Sequence, residues 1–310
     1  FGDEIVLIGG QTNTASGQFV TLFAGENNNV TGTASTIVAG RNNDIDDSND
    51  SSIAAGTGNL INNSHSVSIA AGNKNELDSS ANSSIAGGTF NTGYISSDSL
   101  IGGGRKNRML TSSNSSIVAG KSNIMSSAVD SLIGVGDGNF MIQSTGSALI
   151  GGSGNTVRLS KSSVIGAGSG NLLQNTTSSV IVGGKSNNVT GVESSLVGGA
   201  SNIISGDRSV LVGGSGNKVF GDEIVLVGGK TNTASGQFVT LFAGEFNNVT
   251  GIASTIVAGR ENDVINSSDS SITAGNTHLI TGSFQSNIAA GYTSVISGST
   301  NVFIGAGRQN

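Results

Sequence analysis

The chain reads as all-β: a parallel β-solenoid (β-roll) of about 20 coils of 15–16 residues, with two short strands per coil. Three regularities predict this. A signature, [Ile/Leu]-x-[Ala/Gly]-Gly-x-x-Asn, recurs along the chain with its glycine at 10, 25, 40, 56, 72, 88, 104, 120, 136, 152, 168, 184, 199, 214, 229, 244, 259, 275, 291 and 307. Inward-type and outward-type residues alternate with period two on both sides of that glycine, as strands do. The composition suits turns and strands rather than helices, with 49 glycines, no proline, no cysteine and no tryptophan. A short fixed period marks a solenoid whose coils stack only on their neighbours. It overrides the two-domain expectation that 310 residues would otherwise carry.

The elements follow when each copy is numbered from its glycine as zero. In the first strand, −3 is Ile or Leu in all twenty copies, −1 is Ala in eleven, Gly in eight and Val135 once, and −5 is Ser in fourteen. The glycine and its two followers form a tight turn. In the second strand, +3 is Asn in eighteen copies, with His278 and Ser294 as exceptions, and +5 is Ile, Val, Leu or Met in sixteen of nineteen. The second turn, from about +7, holds Gly17, Gly32, Gly191, Gly206, Gly221, Gly236 or Gly251 in the 15-residue copies, and 16-residue copies add one residue there. Stacked at ~4.8 Å per coil, the copies would span roughly 90–95 Å.

The expected inward set is Ile/Leu at −3, Ala/Gly at −1, Asn at +3 and the aliphatic at +5. A buried Asn is costly unless bonded. Amides stacked in successive coils can bond along the axis. The expected ladder is Asn13, Asn28, Asn43, Asn59, Asn75, Asn91, Asn107, Asn123, Asn139, Asn155, Asn171, Asn187, Asn202, Asn217, Asn232, Asn247 and Asn262.

A second apolar face is legible between these positions. Outward positions −4 and −2 should be polar if they met water, yet −2 is apolar in fifteen copies. Where −4 is large, −2 is often Gly, as in Leu100 with Gly102, Leu132 with Gly134, Val164 with Gly166 and Phe303 with Gly305. Such volume compensation is expected of a packed contact. The predicted interface comprises Ile8, Phe23, Val38, Leu100, Val118, Leu132, Ile150, Val182, Val197, Val212, Val227, Phe242, Val257 and Phe303. A long apolar stripe marks an interaction surface, and self-association as a parallel homotrimer is the most economical way to cover it.

Segments such as Ser209-Val210-Leu211-Val212-Gly213-Gly214-Ser215-Gly216-Asn217-Lys218-Val219 and Ser115-Ser116-Ile117-Val118-Ala119-Gly120-Lys121-Ser122-Asn123-Ile124-Met125 resemble the head repeats of YadA-like trimeric autotransporter adhesins. The resemblance runs along the whole chain. It implies a left-handed parallel β-roll, intertwined as a trimer on the outside of a bacterial cell. The repeat here is longer by a residue or two, and Asn stands where that family has a small Ser or Ala.

Residues 1–44 recur at 220–263 with differences only at 8, 11, 27, 33 and 42. Residues 1–310 therefore read as one continuous solenoid with a fourteen-coil superrepeat, 1–219 restarting at 220–310. The chain opens on Phe1 and shows no atypical cap, so a segment of a longer fibre is expected.

Other chemistry is weakly represented. Net charge is −6 and only 11% of residues are charged, which argues against nucleic acid as a partner. No apolar run approaches the ~20 residues of a membrane span, so no direct membrane insertion is expected. No thiolate site exists, and no cofactor is expected. Asp44, Asp46, Asp47 and Asp50 form an acidic run read as a solvated turn. His65 and His278 lie on different coils without triad partners. Sequons at Asn29, Asn49, Asn62, Asn82, Asn114, Asn175, Asn188, Asn248 and Asn266 fall at or beyond +4. The resulting expectation is a non-enzymatic adhesive fibre segment, extracellular and at the cell surface, whose partners are copies of itself and a host-surface or matrix component. The alternative is a phage or viral tail-fibre shaft or a self-assembling cell-surface filament. Ice binding is disfavoured because outward Thr (Thr21, Thr36, Thr240, Thr255) occupies only a few coils.

Overall fold

The computed structural model describes residues 4–309. Every regular element among them is a β-strand, arranged as a parallel β-solenoid of about 19 turns in all with a period near 16 residues. Asn310, the +3 residue of the last copy, lies outside the described residues. The chain divides into two compact units, Phe1–Leu159 and Ser160–Asn310.

The turn built on Gly104 shows how a coil of the first unit forms. Its first strand, Leu100–Ile101, lies in parallel register between Ser84–Ile85 and Ser116–Ile117, so Ile85, Ile101 and Ile117 stack. Its second strand, Arg108–Leu110, lies between Thr92–Tyr94 and Ile124–Ser126. Two single-residue bridges add further lines of contact, Thr89–Arg105–Lys121 at +1 and Ser97–Ser113–Val129 at +9.

Between these lines the backbone bends at residues with left-handed φ: Gly104 at 90°, Lys106 at 57°, Thr111 at 49° and Asn114 at 47°. For a non-glycine residue that conformation costs ~1–2 kcal/mol. It is offset because each such N–H donates back to the previous turn: Lys106 to Thr89 (3.0 Å), Thr111 to Tyr94 (2.9 Å) and Asn114 to Ser97 (3.1 Å).

The second unit follows the same plan, with Val210–Val212 between Ser195–Val197 and Val225–Val227, and Lys218–Val219 between Ile203–Ile204 and Thr233–Ala234. Its 15-residue coils are tighter at the +7 corner. A Cβ on Gly206 would run into the carbonyl of Gly221, and one on Gly221 into that of Gly236. Glycine here permits close approach of two backbones. Where a 15-residue coil meets a 16-residue one in the first unit, the register shifts between Val30 and Gly32, which places the extra residue at this corner.

The core is one column per strand. At −3, Leu22 through Leu149 and Ile165 through Ile288 are buried in every turn, and at +5 so are Val30, Ile45, Ile61, Leu77, Met109 and their counterparts. Each fully buried aliphatic contributes ~1.5–3 kcal/mol of transfer free energy. Gly93, an exception at +5 along with Ala15 and Ala234, sits in register between Leu77 and Met109, and Leu77 reaches into the space a Cβ would take.

The expected inward set needs correction. Position −1 does not face inward: Ala24, Ala71, Ala167 and Ala243 are exposed, and Ala39, Ala55 and Ala119 half-buried. The chain is already bending there toward the left-handed Gly, so strict alternation stops after −3. Serine completes the inward set instead, at −5 (Ser83, Ser99, Ser115) and at +8 of 16-residue coils (Ser64, Ser80, Ser96).

Candidate functional site

The Asn residues at +3 are buried in each unit from Asn28 to Asn155 and from Asn171 to Asn262, while Asn13 is half-buried. The geometry at Asn107 is representative. Its Nδ2 donates to the carbonyl of its own Gly103 (2.8 Å) and to that of Gly120 in the next turn (3.0 Å), and its Oδ1 accepts the backbone N–H of Asn123 (3.1 Å). The Asn123 amide also reaches this oxygen at 3.2 Å. The expected amide-to-amide ladder is thus chiefly an amide-to-backbone ladder, which anchors the carbonyls at the tight turn.

Two serine ladders run beside it. Ser99 Oγ faces the carbonyls of Ser97 (2.7 Å) and Ser112 (3.4 Å), and Ser64 Oγ accepts the N–H of Ser80 at 3.1 Å. The recurrence of serine at −5 is visible in the sequence, but its purpose is not. These hydroxyls satisfy the backbone where the strand leaves the sheet.

The ladder changes chemistry at two turns. His278 takes the Asn place: its N–H donates to Asn262 Oδ1 (3.0 Å), and its Nδ1 accepts the N–H of Ser294 (3.1 Å). Its Nε2 has no hydrogen-bond partner, and neither has Ser294 Oγ. Burial pushes the imidazole pKa below its ordinary value, opposed by the nearby Gly291 carbonyl. At +4, burial raises the Asp44 carboxyl, with the Asn29 amide (2.9 Å) pulling the other way and Asp46 adding to the rise. Asp263, its counterpart in the second unit, is raised by burial.

In each unit the predicted interface residues lie on the surface, at −2 except for Leu100, Leu132 and Phe303 at −4. Twelve of the fourteen are exposed, among them Ile8, Phe23, Val38, Leu100, Val118, Ile150, Val182, Val197, Val212, Phe242, Val257 and Phe303, while Leu132 and Val227 are half-buried. Backbone bonds hold the −2 positions in stacked register: Phe23 N–H to Ile37, Val38 to Ile53 and Val118 to Ile133 in the first unit, Val182 to Leu196 and Phe242 to Ile256 in the second. The row is densest in the second unit, where Val182, Val197, Val212, Val227, Phe242 and Val257 occupy six consecutive turns.

The glycines at −2 have a reason within the coil itself. A Cβ on Gly102, Gly134 or Gly166 would collide with the carbonyl of Val118, Ile150 or Val182 in the next turn.

The acidic run is spread around its coil. Asp44 Oδ1 meets Asn29, Asp46 Oδ1 accepts the Thr31 hydroxyl (2.6 Å), and Asp50 lies 3.7 Å from Nδ1 of exposed His65. Among the described residues no group of three or more His, Asp or Glu is placed to hold a metal ion, and no pocket forms. Among the described residues no helix is long and apolar enough to cross a membrane.

No protein-family profile matches the chain, and no curated protein matches it. Among solved structures, a protein described as an acetyltransferase from Desulfovibrio desulfuricans G20 aligns at 9% identity and a TM-score of 0.15, over 75% of this chain. The chain spans 63% of that protein's length. A similarity of this size carries no argument about fold or function.

Proposed function

We propose that the chain is a non-enzymatic structural and adhesive segment of an extracellular surface fibre, assembled from copies of itself along the −2 row. The parallel homotrimer of YadA-like head repeats is the arrangement the resemblance favours. A host-surface or matrix component is the outer partner. The observation that carries this reading is the exposed row Val182, Val197, Val212, Val227, Phe242 and Val257, in which all but Val227 are exposed. A run of large apolar side chains in consecutive turns is costly to leave in water and marks an association surface. The inward face supplies no competing use for these residues, because −3, +3, +5 and the serines fill it.

Sedimentation velocity on the 310-residue chain tests the assembly. At micromolar concentration a mass of several protomers is expected, with a trimer as the favoured value. Val197→Lys with Val212→Lys is expected to return the monomer while the far-ultraviolet circular dichroism stays unchanged. A wild-type chain that sediments as a monomer would remove the reading.

A further inference from the structure

One corner of the first unit departs from the acidic balance of the chain. Arg105, Lys106 and Arg108 follow Gly104 at +1, +2 and +4, Lys121 stands at +1 of the next turn, and Lys74 at +2 two turns earlier. All five are exposed. Arg105 and Lys121 are direct register partners, so two like-charged residues stand on neighbouring strands, their backbones ~4.8 Å apart, an arrangement that is unfavourable by itself. Lys121 is relieved by Asp137, at 3.6 Å. Arg105, Lys106 and Arg108 form no ion pair among the described residues. The acids of the adjoining turns, Asp98 and Asp130, occupy the +10 corner, beyond the second strand.

An aromatic ring is set among these cations. Phe90 occupies +2 between Lys74 and Lys106, and its N–H donates to Asn73 as that of Lys106 does to Thr89. Phe90 is 42% exposed, with Lys74 Nζ 5.3 Å from its ring centroid. Phe90 holds a left-handed φ of 57°, an uncommon conformation for a bulky residue. The row Lys74–Phe90–Lys106 follows the stacking direction, the two lysines being two strand spacings, about 10 Å, apart.

We propose that this corner binds an acidic polysaccharide, its carboxylate or sulfate groups lying on Arg105, Lys106, Arg108 and Lys121, and a sugar ring lying on Phe90. Lys74 and Lys106 two strand spacings apart along +2, with Arg105 and Lys121 in adjacent turns at +1, suit an extended polyanion. Guanidinium groups pair with carboxylate and sulfate oxygens in a planar fork, and the apolar C–H face of a sugar ring packs on an aromatic ring. Single-stranded nucleic acid fits less well, because it calls for successive aromatic platforms and the row holds one. The proposal deepens the adhesive reading and rests on it. It is independent of the −2 row, so self-association and glycan binding are measured separately and fail separately.

The test is isothermal titration of the full chain with a size-defined oligogalacturonate in low-salt buffer. Binding that weakens as salt rises is expected. R105Q/K106Q/R108Q should weaken it by at least about tenfold, since each residue supplies a charge-assisted bond. F90A should weaken it several-fold. Far-ultraviolet circular dichroism of both variants checks that they fold. No binding, equal binding by the triple variant, or equal binding of neutral dextran would overturn the proposal. So would oligothymidylate of matched length binding at least as tightly, which would assign the surface to nucleic acid.

Discussion

The side-chain oxygen of Asn107 accepts the backbone N–H of Asn123, its counterpart one turn on, at 3.1 Å. Through this bond each Asn fixes the height of the next turn; the Asn107 amide holds the Gly103 carbonyl and adds a second bond to the Gly120 carbonyl, which already accepts the Arg105 N–H at 2.9 Å. Asn107→Ala is expected to leave the Asn123 N–H and the Gly103 carbonyl unpartnered, while the Gly120 carbonyl keeps the Arg105 N–H. A buried unsatisfied group costs ~1–3 kcal/mol, so a total loss of about 3 kcal/mol is expected in urea unfolding. Hydrogen exchange should rise in the turns of Gly88 to Gly120 and stay unchanged several turns away, because coils couple only to neighbours. A uniform rise along the unit would contradict the ladder.

His278 makes the stack sensitive to pH. Its Nδ1 is occupied as an acceptor for the Ser294 N–H, so protonation would set two N–H groups against each other in a buried place. The folded pKa lies below the ordinary 6.5. The unfolded chain therefore binds more protons in the window from 6.5 down to that depressed value, and stability falls as pH falls through it. Asp44 and Asp263, with raised values, act in the opposite sense: they disfavour the fold when ionised and are relieved as pH falls. The difference between wild type and His278→Asn isolates the histidine. His278→Asn is expected to raise the urea midpoint more at pH 5.5 than at pH 8. An equal shift at both pH values would contradict the assignment.

Gly206 and Gly213 separate two uses of glycine. Gly206 has no left-handed φ, yet a Cβ there would strike the Gly221 carbonyl; Gly213 has a φ of 71° and open space around it. Gly206→Ala must push neighbouring backbones away from each other and should cost ~3 kcal/mol. Gly213→Ala carries only the conformational penalty, ~1–2 kcal/mol. Thermal unfolding of the two variants gives the comparison, and the reverse order would contradict the tight corner.

The period makes the coil legible, since −3, +3 and +5 can be read by counting from a glycine. Position −1 escapes that count because alternation ends one residue earlier, at the bend where the left-handed Gly turns the chain outward. The serine ladders are hard to see for a different reason. Serine is common throughout this chain, and its burial at −5 and +8 depends on where the corners fall, which Asp47, Asp50, Lys106 and Thr111 do not announce as glycines would. The exposed −2 row is readable as an apolar stripe. The glycines within it, Gly102, Gly134 and Gly166, look in the sequence like compensation across an interface, whereas contact with the next turn's backbone already requires them.

The most direct test of assembly along the −2 row uses the absence of cysteine from the sequence. Val212→Cys, on the row, and Lys218→Cys, on the second strand of the same coil, each introduce a single thiol. Under mild oxidation of the purified chain, Val212→Cys is expected to form a disulfide-linked dimer in high yield at micromolar concentration, and Lys218→Cys is not. Equal cross-linking of both, or none at Val212→Cys, would contradict assembly through this face.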